Sequence, residues 1–182
     1  MLVVFSGLPG TGKTTIAKAL TRATHAVYLR IDTLEQAVRD CAVLPGDIGA
    51  SGYRIGHAIA LSNLQLGNRV VVDCVNPVKE SRLDWAEVAA RAGVAWLDVQ
   101  VVCTDAAEHR RRVETRASDV PGLVLPTWSS VQGHEYEPWD VPVLTIDTGV
   151  ASVEQAITVI LERLVGSALA PSWAEPGPAG AD

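Results

Sequence analysis

Short apolar runs alternate along this chain with longer segments whose apolar residues recur every three or four positions. Leu2–Phe5, Val27–Ile31, Arg69–Asp73, Ala95–Val102 and Val143–Ile146 are rich in Val, Ile and Leu and read as strands. Most are continuously apolar, which predicts strands covered on both faces, as in a parallel sheet. Between them Lys13–Arg22, Leu34–Ala42, Tyr53–Leu66, Lys79–Ala92, Ala106–Arg116 and Val153–Val165 carry the helical period. Gly67 and Gly93 stand where helix C-caps belong, each just before a strand. Strands alternating with helices imply βαβ units and a doubly wound α/β domain. There is no internal repeat.

Two regions break the rhythm. Residues Ala117–Pro142 hold Pro121, Gly122, Pro126, Gly133 and Pro138 among Trp128, Tyr136 and Trp139, which predicts a loop-rich insertion around one short helix. After Val165 the stretch Gly166–Asp182 is rich in Ala, Pro and Gly and lacks apolar periodicity, so it reads as a flexible tail. The expectation is one domain over 1–165, with a lid at about 110–126, followed by the tail 166–182.

The strongest chemical signal lies between the first strand and the first helix. Gly7-Leu8-Pro9-Gly10-Thr11-Gly12-Lys13-Thr14-Thr15 matches G-x-x-x-x-G-K-[ST], and it has the apolar strand before it and the amphipathic helix after it that the motif requires. Glycines let the backbone wrap with its N–H groups inward, making an anion nest, and the helix N-terminus adds its dipole. Lys13 supplies a point charge for β- and γ-phosphates, and the Thr14 hydroxyl is placed to ligate Mg²⁺.

Composition narrows what such a loop serves. The chain has 182 residues, is 48% hydrophobic and 20% charged, and carries a formal net charge of −6. That supports a real core and argues against general attraction to nucleic acid or anionic membrane. Lysine occurs only at 13, 18 and 79, so the lysine of the loop stands out. Cys41, Cys74 and Cys103 form no CxxC pair, and the four histidines show no metal-ligand spacing. The start Met1-Leu2-Val3-Val4-Phe5 has no basic region before it and reads as a strand, and no apolar stretch approaches the length of a membrane span. A cytoplasmic protein with reduced thiols is the expectation.

Several other residues have candidate roles. Asp32 closes the second strand, where it would face the same crevice as the loop and could take a proton from an attacking hydroxyl. Equally, Asp32 or Thr33 could N-cap the next helix, with Glu35 or Gln36 completing a capping box. Asp73 ends the third strand in the manner of a Walker-B carboxylate reaching the Mg²⁺ shell. Asn76 could bind substrate or shape its loop. On the segment Ala106–Arg116, Arg112 and Arg116 share a face suited to phosphoryl oxygens, Val113 and Ala106 mark the buried side, and Arg110 could pair with Glu114. Tyr53 and Trp128 lie in segments that could line an acceptor pocket. Asp147, after the last strand, is either a residue of the adenine-side loop or part of an ordinary strand-to-helix turn.

Taken in this order, the loop, the Ile31-Asp32 and Val72-Asp73 strand ends and the arginine helix resemble the small P-loop kinases. Within them the chain is similar to the group of chloramphenicol phosphotransferase, the zeta-toxin-type kinases and the kinase domain of polynucleotide kinase. Arg30-Ile31-Asp32-Thr33-Leu34-Glu35-Gln36 also resembles a stretch of uncharacterised bacterial kinase-like ATPases. The resemblance implies a P-loop NTPase three-layer sandwich with a five-stranded parallel sheet in the order 2-3-1-4-5. It also implies ATP and Mg²⁺ as cofactors, Asp32 as base, and Lys13, Arg112 and Arg116 on phosphate. The expected activity is transfer of the γ-phosphoryl group of ATP to a hydroxyl of a small molecule such as a metabolite, sugar, nucleoside or antibiotic. An NTP-hydrolysing switch and a polynucleotide 5′-kinase stand as alternatives, the latter at odds with the acidic balance. Segments Pro45–Gly56 and Ala117–Pro142 would shape the acceptor crevice.

Overall fold

A computed structural model describes residues 1–42 and 46–168. Five parallel strands, β1 (Leu2–Ser6), β2 (Val27–Arg30), β3 (Val70–Asp73), β4 (Trp96–Val102) and β5 (Leu144–Asp147), line up in the order β2-β3-β1-β4-β5. Seven helices join them: α1 (Lys13–Thr24), α2 (Ile31–Asp40), α3 (Ser51–Gln65), α4 (Lys79–Ala92), α5 (Ala106–Thr115), α6 (Trp128–Gln132) and α7 (Val153–Ala168). The fold is the expected α/β P-loop sandwich.

The continuous apolar runs are explained by two cores, one on each face of the sheet. On one face Leu2, Val4, Val70, Val72 and Leu29 pack with Ala60 and Leu64 of α3 and Trp85, Val88 and Ala89 of α4. On the other face Val3, Phe5, Val71, Val99, Val101 and Ile146 meet Ile16, Ala17 and Leu20 of α1 and Ala156 and Ile160 of α7. Each central strand therefore buries both of its faces, and β1 is buried at every residue. Burying the whole of β1 fixes the origin of the loop that follows it.

Most element boundaries shift by one or two residues from the sequence expectation, and the larger departures have local causes. The second helix starts at Ile31 and ends at Asp40, rather than spanning Leu34–Ala42, because the chain turns from strand to helix at extended Arg30 with no loop between. Its N-cap is Arg30, with no side-chain cap, so the capping box expected from Asp32 or Thr33 is not formed. On α5 the buried positions are His109 and Val113, and Ala106 is exposed. The last helix runs to Ala168, past the end expected at Val165. From Leu169 the expected tail lies outside the described residues, as does Pro45 of the crevice segment.

Candidate active site

The loop Gly7–Thr15 leaves the buried end of β1 and delivers its last residues to the first turn of α1. Its glycines are required by geometry. Gly7 has φ +145°, and a Cβ there would lie 2.3 Å from the Val101 carbonyl oxygen. Gly10 has φ +84°, and a Cβ would meet Val113 Cγ2 at 2.5 Å, so α5 presses directly on the loop. Thr11 Oγ1 donates to the Leu8 carbonyl at 2.9 Å and Lys13 Nζ to the same oxygen at 3.4 Å, which curls the loop on itself. Gly12, at φ +95°, caps α1, whose N-terminal N–H groups converge on the space above Lys13 and Thr14.

Two cavities open at this point. The first, of about 480 Å³, is lined by Gly10, Gly12, Lys13, Thr14 and Thr15 of the loop, by Lys18 and Arg22 of α1, and by Arg30, Arg112, Arg116 and Asp119. The second, of about 460 Å³, is lined by Pro9, Asp32, Glu35, Gln36 and Arg39, with Leu123, Val124, Pro126 and His134 opposite. Lys13, Thr14, Arg30 and Arg116 belong to both walls. The segment after α5 contributes to both walls, with Ala117, Ser118, Asp119 and Leu125 on the first and Gly122, Leu123, Val124 and Pro126 on the second.

Asp32 sits on the first turn of α2 rather than at a strand end, and its side chain is 40% exposed into the second cavity. Arg30 holds it: Nη2 donates to Asp32 Oδ2 at 3.1 Å and Nε to the same oxygen at 3.3 Å. Three positions on, Glu35 is half-buried, and burial raises its carboxyl above the usual range against the pull of Arg39 at 3.3 Å. Arg30 is itself a hub. Burial opposes its charge, yet Asp119 at 2.6 Å, Asp32, and Asp73 at 3.9 Å together hold it firmly protonated.

Asp73 is 2% exposed, lies behind the cavities, and accepts the Tyr28 hydroxyl at 2.8 Å. The carboxylate raises the Tyr28 phenol in addition to its burial. Asn76 shapes its loop: it adopts φ +52°, its Nδ2 donates to Ser6 Oγ at 2.9 Å, and its N–H donates to the Tyr53 hydroxyl at 3.0 Å. Tyr53 is thus spent on that loop and lines neither cavity. Trp128 stacks edge-on against His109, away from both.

The arginines divide by environment. Arg110 pairs with Glu114 at 2.8 Å and Arg111 with Glu108 at 2.6 Å on the exposed face. Glu108, pulled down to about 2 by Arg111 and Arg112, is the anchor of that face. Arg112 donates to Glu108 at 2.7 Å and to Thr148 Oγ1 at 2.8 Å, and Thr148 Oγ1 donates on to the Thr11 carbonyl at 2.6 Å. Arg112 therefore braces the loop after β5 against the phosphate loop. Arg116 lies beyond the helix end in extended conformation, so it does not share a helical face with Arg112. Its Nε is buried and has no partner among the described residues. Burial weakens the hold of Arg116 on its proton, with Arg30 adding to the effect and the Asp32 and Asp119 carboxylates opposing it.

Asp147 is used up in the turn after β5. It accepts Thr104 N at 3.0 Å and Gly149 N at 2.9 Å, as well as the Thr104 hydroxyl, and it lines neither cavity.

Sequence reasoning missed three residues. His109 Nε2 lies 2.8 Å from the Pro9 carbonyl and ties α5 to the loop. Arg30 organises three carboxylates. Arg82, 7% exposed, donates to the carbonyls of Asn76 (3.2 Å), Pro77 (3.0 Å), Glu137 (2.6 Å) and Pro138 (3.2 Å) and stacks on Trp139 and Tyr136. It thereby fixes the segment that carries His134 to the second cavity. No helix among the described residues is long and apolar enough to cross a membrane.

A phosphate loop at the carboxyl end of this sheet, with a cation-rich cavity over it, defines a nucleotide-binding P-loop protein. The chain belongs to the AAA domain family, whose model matches residues 2–131. Proteins it is similar to include named kinases. A protein of Aeropyrum pernix named "Probable adenylyl-sulfate kinase" is 26% identical over 165 residues, covering 88% of this chain and 90% of that one. The Mycobacterium tuberculosis APS kinase, solved with AMPPNP and APS, is 21% identical and superposes with a TM-score of 0.66 over 90% of this chain and 96% of its own. A gluconokinase from Sinorhizobium meliloti 1021 gives a TM-score of 0.58 at 18% identity, covering 91% and 95%. Family, fold and site together make this an ATP-binding enzyme of the kinase class.

Proposed function

We propose that this protein transfers the γ-phosphoryl group of ATP to a hydroxyl of a small molecule, with the nucleotide phosphates in the first cavity and the acceptor in the second. The observation that carries this is the shared wall. Lys13, Thr14, Arg30 and Arg116 line both cavities, while Asp32 lines only the second. A phosphoryl group crossing that wall meets cations throughout, and the acceptor hydroxyl meets a carboxylate oriented by Arg30.

In this reading Asp32 accepts the proton of the acceptor hydroxyl as its oxygen approaches the γ-phosphorus. Lys13 and the unpartnered Nε of Arg116 take up charge on the equatorial oxygens. The Thr14 hydroxyl, open to both cavities, fits a Mg²⁺ carried in with the phosphates, and buried Asp73 adds negative charge behind it. Bound Mg²⁺ would neutralise charge on the bridging oxygens. The lid segment keeps water from competing with the acceptor. The relatives phosphorylate APS or gluconate by name, which supports a small acceptor without fixing which one. Within the small P-loop kinases we retain the closer likeness to the chloramphenicol phosphotransferase and zeta-toxin group as part of this proposal, and with it a cytoplasmic setting and a domain spanning 1–165.

The test is transfer from γ-labelled ATP to a panel of hydroxylated metabolites, sugars, nucleosides and antibiotics, with Lys13→Ala and Asp32→Asn alongside. Labelled product lost in both variants, with ATP affinity kept by Asp32→Asn, is the expected result. Hydrolysis to free phosphate that Asp32→Asn leaves intact would overturn it in favour of a nucleotide switch. Labelled oligonucleotide ends would instead make it a polynucleotide kinase.

A further inference from the structure

Lys18 and Arg22 continue the Thr14 face of α1 at four-residue spacing, beyond the reach of the phosphate-loop motif, and both line the first cavity. Six cations line that cavity against one carboxylate, Asp119, which comes from the lid segment. Asp119 Oδ2 accepts from Lys18 Nζ, and its Oδ1 accepts from Arg30 Nη1 at 2.6 Å. These two bonds hold its carboxyl far below the usual range. The carboxylate is half-exposed, while its neighbour Val120 is buried and anchored by hydrogen bonds with Ser118. The side chain can therefore leave without unseating the segment.

We propose that Lys18 and Arg30 form a phosphate subsite beyond the phosphate loop, and that Asp119 fills it as an internal anion until a phosphate group displaces it. This rests on the phosphotransferase reading. A carboxylate and a phosphate offer the same charged oxygen acceptors to an ammonium and a guanidinium, so the exchange keeps both cations compensated throughout. The buried Nε of Arg116, in the same cavity wall, leaves one donor without a hydrogen-bond partner among the described residues even with Asp119 in place. The entering phosphate belongs either to the nucleotide or to the acceptor side.

Calorimetric titrations separate these sources and test the subsite. ATP with Mg²⁺ is titrated into the wild type, Asp119→Asn, Lys18→Met and the double variant. Inorganic phosphate is titrated into the same proteins saturated with ADP. Removing the competing carboxylate in Asp119→Asn is expected to tighten binding about fivefold, near the upper end for one exposed ion pair. The gain should vanish in the Lys18→Met background, since the phosphate then has no lysine to inherit. Asp119→Glu, which keeps the anion, should bind as the wild type does. A gain for ATP assigns the subsite to the nucleotide, and a gain for phosphate alone assigns it to the acceptor side. Unchanged or weaker binding of both ligands by a folded Asp119→Asn makes Asp119 a fixed strut and overturns the proposal. Failure of the wild type to bind ATP at all overturns the phosphotransferase reading, and the subsite with it.

Discussion

Arg82→Met tests whether one wall of the second cavity is held by a single buried cation. The guanidinium makes four hydrogen bonds to carbonyls at 2.6–3.2 Å and sits 4.3 Å from the Trp139 ring centre and 5.1 Å from that of Tyr136. Methionine keeps much of the apolar stem but none of the donors. Pro77 retains a second donor, Glu137 N at 2.9 Å, so the carbonyls of Asn76, Glu137 and Pro138 lose most. Three carbonyls stripped of a charged donor would each lose about 1–3 kcal/mol. Relief from burying the guanidinium offsets part of that, leaving a net loss of about 3–5 kcal/mol, the usual result of breaking a buried ionic contact. For a domain of this size that is a fall in Tm of about 6–20 °C. Scanning calorimetry and urea unfolding read it directly. Because Arg82 lines neither cavity, ATP affinity should change by less than about threefold in the folded variant. A Tm within about 3 °C of the wild type would refute the clamp, because those carbonyls would then have found other donors at no cost.

Other outcomes follow from single features. Asp98 lies on β4 with its Oδ1 buried and without a partner, and burial raises its carboxyl from 3.8 to about 6 despite the Trp96 hydrogen bond and Arg82. Its folded form binds the proton more tightly than the unfolded chain, so its contribution to stability is fully present below pH 3.8 and lost as pH rises through about 6. Asp98→Asn should therefore match the wild type near pH 4 and exceed it by about 2 kcal/mol at pH 7.5, as measured by urea unfolding at the two pH values. Gly10→Ala forces a side chain into φ +84° and against Val113, and should weaken ATP binding at least tenfold by calorimetry, with Val113→Ala restoring only part. His109→Ala removes the tie to Pro9 and should lower folding stability by urea unfolding and ATP binding free energy by calorimetry, by about 1 kcal/mol each. Asp32→Asn should lower kcat by about 10²–10⁴-fold with little change in ATP affinity.

The fold was legible because its determinants are local. Continuous apolar runs such as Val70-Val71-Val72 announce strands with two buried faces, and the loop motif places β1 at the centre of the sheet's working edge. The strand order needed the family resemblance, since periodicity carries no information on which strand neighbours which. The β2 to α2 junction was misplaced because Ile31 suits either element. It is buried under α3, with its Cδ1 only 2.7 Å from where a Cβ on Gly56 would stand. That tertiary contact decides the matter, and no pattern within Arg30–Glu35 encodes it.

The site was legible only where one residue type carries the chemistry at a fixed spacing, as Lys13 and Thr14 do. Arg30, Arg82 and His109 were missed because the groups that define them lie far away in sequence: Arg30 meets Asp119 across 89 residues, Arg82 meets Pro138 across 56, and His109 meets Pro9 across 100. The same separation explains why the arginine helix was only half understood. Arg112 and Arg116 are four apart in sequence, yet one is consumed by Glu108 and Thr148 while the other keeps a buried donor unsatisfied. Identity and spacing cannot tell a braced arginine from one with an open donor, because the difference lies in partners distant in sequence, such as Thr148 for Arg112. Arg112 finds its counter-anion on its own helix in Glu108, whereas Arg30 draws on Asp119 of the segment after α5 and on Asp73 at the end of β3. The acidic balance of the chain is thus put to local use, in carboxylates that hold the cations of the two cavities in position.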